Sequence, residues 1–181
     1  MTQVSQGERV RVRTGHWVLI RPLGREDGPA LVTAVERLST ESRYRRFMSG
    51  APGLSEDLAD YLINVDHYDH EALTAVSPET GDIVAVARFV RDRAHPATAE
   101  MALGVADGWQ RRGLGALMLR RLAGCAAAVG IEDFTAEILA ENRPMLTLVR
   151  RVGGAETTLN GLTVMARMPL ANQLWEKPAA A

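Results

Sequence analysis

The sequence predicts an α+β domain: a mixed, mostly antiparallel sheet flanked by helices. Three observations carry that reading. Three β-type runs, at 71–76, 83–90 and 98–105, are joined by short turn-rich connections and read as an antiparallel meander. A stretch over 113–129 places Leu114, Leu117, Met118, Leu122, Cys125 and Val129 on one helical face. Near the end, Asn160-Gly161 separates two short β runs, the strongest two-residue hairpin signal a sequence offers. With 181 residues, 46% apolar and 24% charged, one domain can bury about two thirds of its unfolded surface. No internal repeat or linker divides it. The expected organisation is a flexible N-terminal arm (1–15), a single domain (16–170) and a C-terminal tail (171–181).

The elements follow in order. Arg9, Arg11 and Arg13 alternate along the polar arm, a pattern shared by a mobile tail and an edge strand. Residues 17–21, WVLIR, form a short strand. Asp27-Gly28-Pro29 opens a helix that carries Leu31, Val35 and Leu38, with proline suited to the first turn. A second helix begins near 39–42, and after the loop GAPGLSED a third carries Leu58, Leu62 and Ile63. The meander and the long helix come next. A strand at 133–139, a helix at 142–151 opened by Asn142, and the hairpin complete the chain.

Composition excludes several functions. A net charge of −1 argues against a general nucleic-acid binder, which is usually strongly basic. Cys125 is the sole cysteine, so neither an internal disulfide nor a multi-cysteine metal site is available. His16, His67, His70 and His95 do not fall at metal-ligand spacing, and no metal is expected. No apolar run approaches the roughly 20 residues needed to span a bilayer, and the first residues lack a secretory core. No membrane association is expected, and the expected location is the cytoplasm. Lys177 is the single lysine, a bias that a GC-rich genome explains.

The chemistry lies in Asp107-Gly108-Trp109-Gln110-Arg111-Arg112-Gly113-Leu114-Gly115-Ala116, between an apolar strand and the long helix. Such a junction aims free backbone N–H groups and a helix dipole at one place, which suits a pyrophosphate. Gly113 and Gly115 remove side chains that would obstruct an anion. Arg111 and Arg112 add positive charge. A dinucleotide fingerprint needs a third glycine where Met118 stands, and a nucleotide-triphosphate loop needs Gly-Lys-Ser/Thr; both fail. Trp109 beside the loop reads as a packing residue, Cys125 as a buried inert thiol, and the Arg43, Arg45, Arg46 cluster as a solvated helix face or a contact for acceptor or phosphate.

Gln110-Arg111-Arg112-Gly113-Leu114-Gly115 resembles the acyl-CoA loop of the GNAT superfamily of N-acetyltransferases, whose pattern is Gln/Arg-x-x-Gly-x-Gly/Ala. Glu141-Asn142-Arg143-Pro144-Met145 resembles the superfamily's Glu-Asn helix start, whose asparagine contacts CoA. For Asn142 an ordinary N-cap is compatible with that contact. The likeness runs over about 17 to 169. Within the superfamily, LSTESRYRRF at 38–47, HYDHEAL at 67–73 and AEMA at 99–102 are similar to the catalytic domain of bacterial protein-lysine acetyltransferases. Those relatives often carry a fused regulatory domain, for which this chain has no room.

The resemblance implies acetyl-CoA as cosubstrate, a GNAT-like fold, and direct transfer to a primary amine in a ternary complex, with a protein lysine as the expected acceptor. A small-molecule amine, a protein N-terminus, and a non-catalytic acyl-CoA-binding regulator are the other readings. A lysine amine has a pKa of about 10.4, so only on the order of one in a thousand is uncharged at neutral pH, and a carboxylate near the acceptor must take its proton. The family's base falls at Glu100, which strand parity sets opposite Met101, Leu103 and Val105. Glu137 on the neighbouring strand is the second candidate. Backbone near Leu103, Gly104 and Val105 is where the superfamily splays its strand for the pantetheine arm and holds the oxyanion, and Gly104 fits an irregular strand site. Gln110, Arg111, Arg112, Gly113, Leu114, Gly115, Ala116 and Asn142 complete the expected cofactor set. Many relatives protonate the leaving thiolate with a tyrosine where Val149 stands here, which leaves water, Tyr44 or Tyr68.

Overall fold

The computed structural model describes residues 7–51, 53–172 and 175. Eight strands form one sheet in the order β1-β2-β3-β4-β5-β6-β8-β7. The strands are β1 (Glu8–Arg11), β2 (Trp17–Pro22), β3 (His70–Val76), β4 (Ile83–Arg91), β5 (Thr98–Val105), β6 (Asp133–Leu139), β7 (Glu156–Asn160) and β8 (Thr163–Pro169). Every neighbouring pair is antiparallel except β5 with β6. Five helices flank it: α1 (Gly28–Glu36), α2 (Thr40–Phe47), α3 (Glu56–Ile63), α4 (Leu114–Ala128) and α5 (Arg143–Gly153). The predicted meander is β3-β4-β5, and the predicted hairpin is β7-β8 with Gly161 at φ +61° in its turn.

Strand alternation divides the side chains between two cores. Met118, Leu119 and Leu122 of α4 and Val149 of α5 are sealed against Phe89, Met101, Phe134 and Ile138 on one face. On the other, α1 and α3 cover a smaller cluster of Leu23, Leu31, Leu62, Ala72 and Ile83. The helices start where their caps dictate: Ser39, Ser55 and Asn142 each accept a backbone N–H from the first turn of α2, α3 and α5.

Two boundary expectations change. Residues 8–11 were expected within a flexible arm, yet they form the edge strand β1. The reason is packing as well as pairing. Val12 is buried, Arg9 lies over the Trp17 ring, and Glu8 takes a two-bond ion pair from Arg121 on α4. Of the expected tail, residues 173, 174 and 176–181 lie outside the described residues, as do 1–6 of the arm. Trp175, however, is buried, edge-on to Phe134, and donates its indole N–H to the Pro169 carbonyl. Among the described residues, no helix is long and apolar enough to cross a membrane.

Candidate active site

The sheet opens in its middle. β5 and β6 are paired only at Thr98↔Asp133, Ala99↔Phe134 and Glu100↔Thr135. Beyond Glu100, β5 stays on β4 as far as Val105, while β6 stays on β8 as far as Leu139. The two strands therefore part into a wedge with Glu100 at its apex. The N–H of Ala106 donates to the Val84 carbonyl on β4. Alternation then turns the N–H groups of Leu103 and Val105 the other way, into the wedge. Gly104 behaves differently from the expectation of an irregular site. Its register with Val86 is unbroken, and its N–H faces β4. A Cβ there would meet only Arg46, at an ordinary 3.8 Å.

Because β5 and β6 are parallel, the helices that follow them both begin at the mouth of the wedge. The start of α4 is the expected phosphate loop. Arg111 and Gly113 both take left-handed backbone conformations, φ +58° and +84°. Gly113 offers no capping side chain, and among the described residues the N–H groups of Leu114, Gly115 and Ala116 have no acceptor. Three backbone donors and the positive end of a 15-residue helix thus converge on one point. Arg13 holds the loop from outside the predicted motif: its N–H bonds the Arg112 carbonyl (3.2 Å) and its guanidinium bonds the Arg111 carbonyl (3.0 Å). Gly115 has a packing role, since a Cβ there would lie 3.2 Å from Leu148 and 3.3 Å from Leu103. Its lack of a side chain lets α4, α5 and β5 meet. Leu114 is buried in the core, so only its backbone can face a ligand.

Gln110 is held by partners on α2 and β5. Its side-chain amide donates to the Ser42 hydroxyl and the Val105 carbonyl (3.1 and 3.2 Å). Beside it, Asp107 accepts from the Ser39 N–H, the Ser39 hydroxyl and the Ser42 hydroxyl at 2.6–2.9 Å. Burial opposes ionisation of Asp107, but these serine donors outweigh it and hold the carboxyl below its usual range. The sequence reading missed this knot, because Ser39 and Ser42 lie 68 and 65 positions before Asp107. Asn142 caps α5 by accepting the Met145 N–H at 3.2 Å. Trp109 packs as expected, under the Arg112 guanidinium (5.2 Å) and edge-on to His16 (5.7 Å).

Glu100 is exposed on the face that α1–α3 cover, opposite buried Ala99 and Met101. Arg46 reaches down from α2 over Gly104, close enough for the charge of Glu100 to act on it. Burial pulls this guanidinium down to about 10, with Glu100 acting against the shift. The arginine cluster is therefore divided. Arg43 bonds the Glu36 and Leu38 carbonyls and Arg45 pairs with Glu41, whereas Arg46 points inward. Arg88, on β4 across from Ala102, is 5% exposed; it bonds the Leu62 carbonyl and His70. Glu137 shares the Glu100 face but is engaged by the Thr163 hydroxyl at 2.8 Å.

Of the tyrosines, Tyr44 stands on α2, which packs on β5, while Tyr68 lies under Arg91 at the opposite end of β5. Val149 is buried in the core. His16 lies beside Trp109 and His95 on Asp92, while His67, on Glu71, donates its backbone N–H to the carbonyl of His70, whose ring bonds Arg88. Cys125 is half-buried rather than sealed, and burial first, then the charge of Glu71, raises its thiol pKa.

The chain that carries this wedge and this uncapped helix is similar to known proteins. Residues 32–153 match the Acetyltransferase (GNAT) family. The chain is 35% identical over 144 residues to Acetyltransferase Pat of Mycolicibacterium smegmatis, covering 80% of this chain and 43% of that protein. It therefore spans less than half the length of that relative. It is 31% identical to Acetyltransferase PA5475 of Pseudomonas aeruginosa, over 77% of this chain and 75% of the other. The solved GNAT domain of S. lividans PAT superposes with a TM-score of 0.85 at 28% identity, covering 93% of this chain and 99% of that one. The chain belongs to the GNAT family of acetyltransferases.

Proposed function

We propose that this chain is an acetyl-CoA-dependent N-acetyltransferase that acts on a primary amine, a protein lysine, by direct attack in a ternary complex. The observation that carries the reading is the departure of β6 from β5 immediately after Glu100. It leaves a carboxylate at the apex of a cleft whose wall presents free backbone donors. The cleft suits a narrow pantetheine-like arm, and the free N–H groups of Leu114, Gly115 and Ala116 at its mouth suit the pyrophosphate. Protein lysine as acceptor is supported by the LSTESRYRRF segment and by the name Pat carried by the M. smegmatis relative.

Bound acetyl-CoA supplies an electrophilic thioester. Each further task falls to this chain. Glu100 takes the proton from the incoming ammonium, directly or through water. The N–H of Leu103 or Val105 bonds the carbonyl oxygen as negative charge develops there. The mouth of the wedge fixes the far end of the cofactor, so the reacting atoms need no orientation at the moment of transfer. Water, Tyr44 on α2 or Tyr68 returns a proton to the thiolate.

Purified protein with acetyl-CoA is offered a cell-extract proteome and a panel of small amines, and CoA release is followed. Wild type modifies proteome lysines, and Glu100→Gln lowers turnover at least tenfold with CoA affinity unchanged. Transfer confined to small amines discards the protein acceptor. Undiminished turnover in Glu100→Gln discards the base.

A further inference from the structure

The face of the sheet that holds Glu100 also holds two guanidinium groups with unused hydrogen-bonding capacity. Arg88 is 5% exposed, yet its Nε finds no acceptor. Arg46 has no hydrogen-bond or ion-pair partner among the described residues; its guanidinium rests 4.8 Å from the Phe47 ring and crosses Gly104. Both line a cavity of about 50 Å³, otherwise walled by apolar side chains such as Leu38, Phe47, Leu62 and Val86. Burial lowers the proton affinity of both guanidinium groups, and the charge of Arg46 lowers that of Arg88 further. His70, the polar neighbour of Arg88, is held toward its neutral form by burial and by Arg88, and an imidazole, neutral or cationic, supplies no counter-charge. Among the described residues Glu100 is the one acidic group that acts on Arg46, and the Tyr61 hydroxyl acts on Arg88.

Two under-bonded cations in a small apolar recess form a receptor for a planar anion. A guanidinium presents paired donors that match a carboxylate, and desolvation in a nonpolar surround strengthens the contact. The recess borders Gly104, whose Cα lies on the same face of β5 as Glu100 and two pleats along. A molecule anchored there by an anion can extend an amine toward Glu100 and the apex of the wedge.

We propose that Arg46 and Arg88 form an anion subsite for the acceptor, which therefore presents a carboxylate together with the amine that is acetylated. This inference rests on the reading of Glu100 as the base at the acceptor's end. The carboxylate has two possible sources, an acidic residue beside the target lysine or the free carboxylate of an amino acid, and both present the same group to the two arginines.

Binding is measured by calorimetry on the CoA-loaded protein, with β-alanine, γ-aminobutyrate, δ-aminovalerate and ε-aminocaproate as probes, each against its own amide. One member of the series binds about tenfold or more tightly than its amide, the scale of one charge-assisted hydrogen bond. Arg46→Gln abolishes that preference while CoA affinity stays within about twofold. Arg88→Lys, which retains charge but loses the fork, weakens it and guards against a folding defect in any larger change at that buried site. Lysine peptides flanked by Glu or by Gln give the second arm: a preference for Glu assigns the carboxylate to the protein acceptor, and its absence beside a preference in the first arm assigns it to a free amino acid. If no probe outbinds its amide and neither peptide is preferred, the subsite is refuted. Transfer to proteome lysines in that event leaves the proposed activity standing, whereas a carboxylate preference without any transfer overturns the activity and keeps the subsite.

Discussion

Substituting Gly113 by glutamate places a negative charge at the mouth of the wedge, and glycine's backbone conformation lets the effect be separated into parts. At φ +84° any side chain is strained by about 1–2 kcal/mol, which Gly113→Ala incurs equally. Space is not the obstacle, because the nearest atom to a Cβ there is the Arg13 Cβ at 3.9 Å. The remaining difference between the glutamate and alanine variants is electrostatic. At a separation of about 5 Å, one unit charge repels another by about 3 kcal/mol at an effective dielectric of 20 and about 1 kcal/mol in bulk water. CoA affinity should thus fall by about fivefold to about a hundred and fiftyfold per phosphate charge relative to Gly113→Ala. Calorimetric titration of CoA into both variants measures this, with melting temperatures to confirm equal folding. Raising the salt concentration should shrink the gap, since ions screen exposed charges within about 10 Å at 0.1 M. Equal CoA affinity in two equally stable variants would refute the assignment of the pyrophosphate to this loop.

Three further outcomes follow from contacts already described. Asp107→Ala removes three acceptor contacts to α2 and should cost about 1–3 kcal/mol, seen as a lower urea midpoint and faster amide exchange in α2; unchanged exchange would mean that the serine knot does not hold the helix. Asp27 is kept below its ordinary pKa first by the Arg21 guanidinium (2.6 and 2.7 Å), helped by the Gly24 N–H, against the opposing pull of burial. A depressed carboxylate stabilises the fold above its unfolded pKa, near 3.8, and loses that contribution as the pH falls through the folded value. Asp27→Asn should therefore destabilise at pH 7 and remove part of the acid sensitivity, read from chemical denaturation across pH. His70 is shifted the same way by burial and Arg88, so the protein should lose stability as the pH drops below about 6.5, where an unfolded histidine takes up a proton; His70→Gln should flatten that slope in the same measurement.

The periodicity of the chain predicts nearly the whole element order. The β6 strand falls on its predicted 133–139, and α4 is shorter than predicted by one residue at each end. Those elements are legible because each is defined by side chains close in sequence: alternation, a helical stripe, an Asn-Gly turn. Residues 8–11 are harder, since what fixes them is distant, the Arg121 ion pair and the burial of Val12. In the candidate site, the loop is legible from its glycines and arginines, while Glu100 is singled out by the family resemblance and strand parity gives only its face. The division of labour within the loop is not legible. Gly113 serves backbone geometry, Gly115 serves packing, and Gln110 bonds Ser42, distinctions that depend on partners far along the chain. The inward turn of Arg46 is equally invisible, because its neighbours Arg43 and Arg45 carry the same charge and point elsewhere.

The wedge has a consequence for how this sheet keeps time. A central strand normally protects its amides, yet Leu103 and Val105 lie in the fifth of eight strands with one side bare. In the free protein these amides should exchange with solvent like those of an outer strand, far faster than Ala87 or Phe89 one strand away. A molecule lying along the gap supplies the acceptors that β6 withholds, and in hydrogen-bonding terms it becomes a ninth, transient strand. Slowed exchange confined to Leu103 and Val105 would then report occupancy of the cleft residue by residue, with no need for turnover.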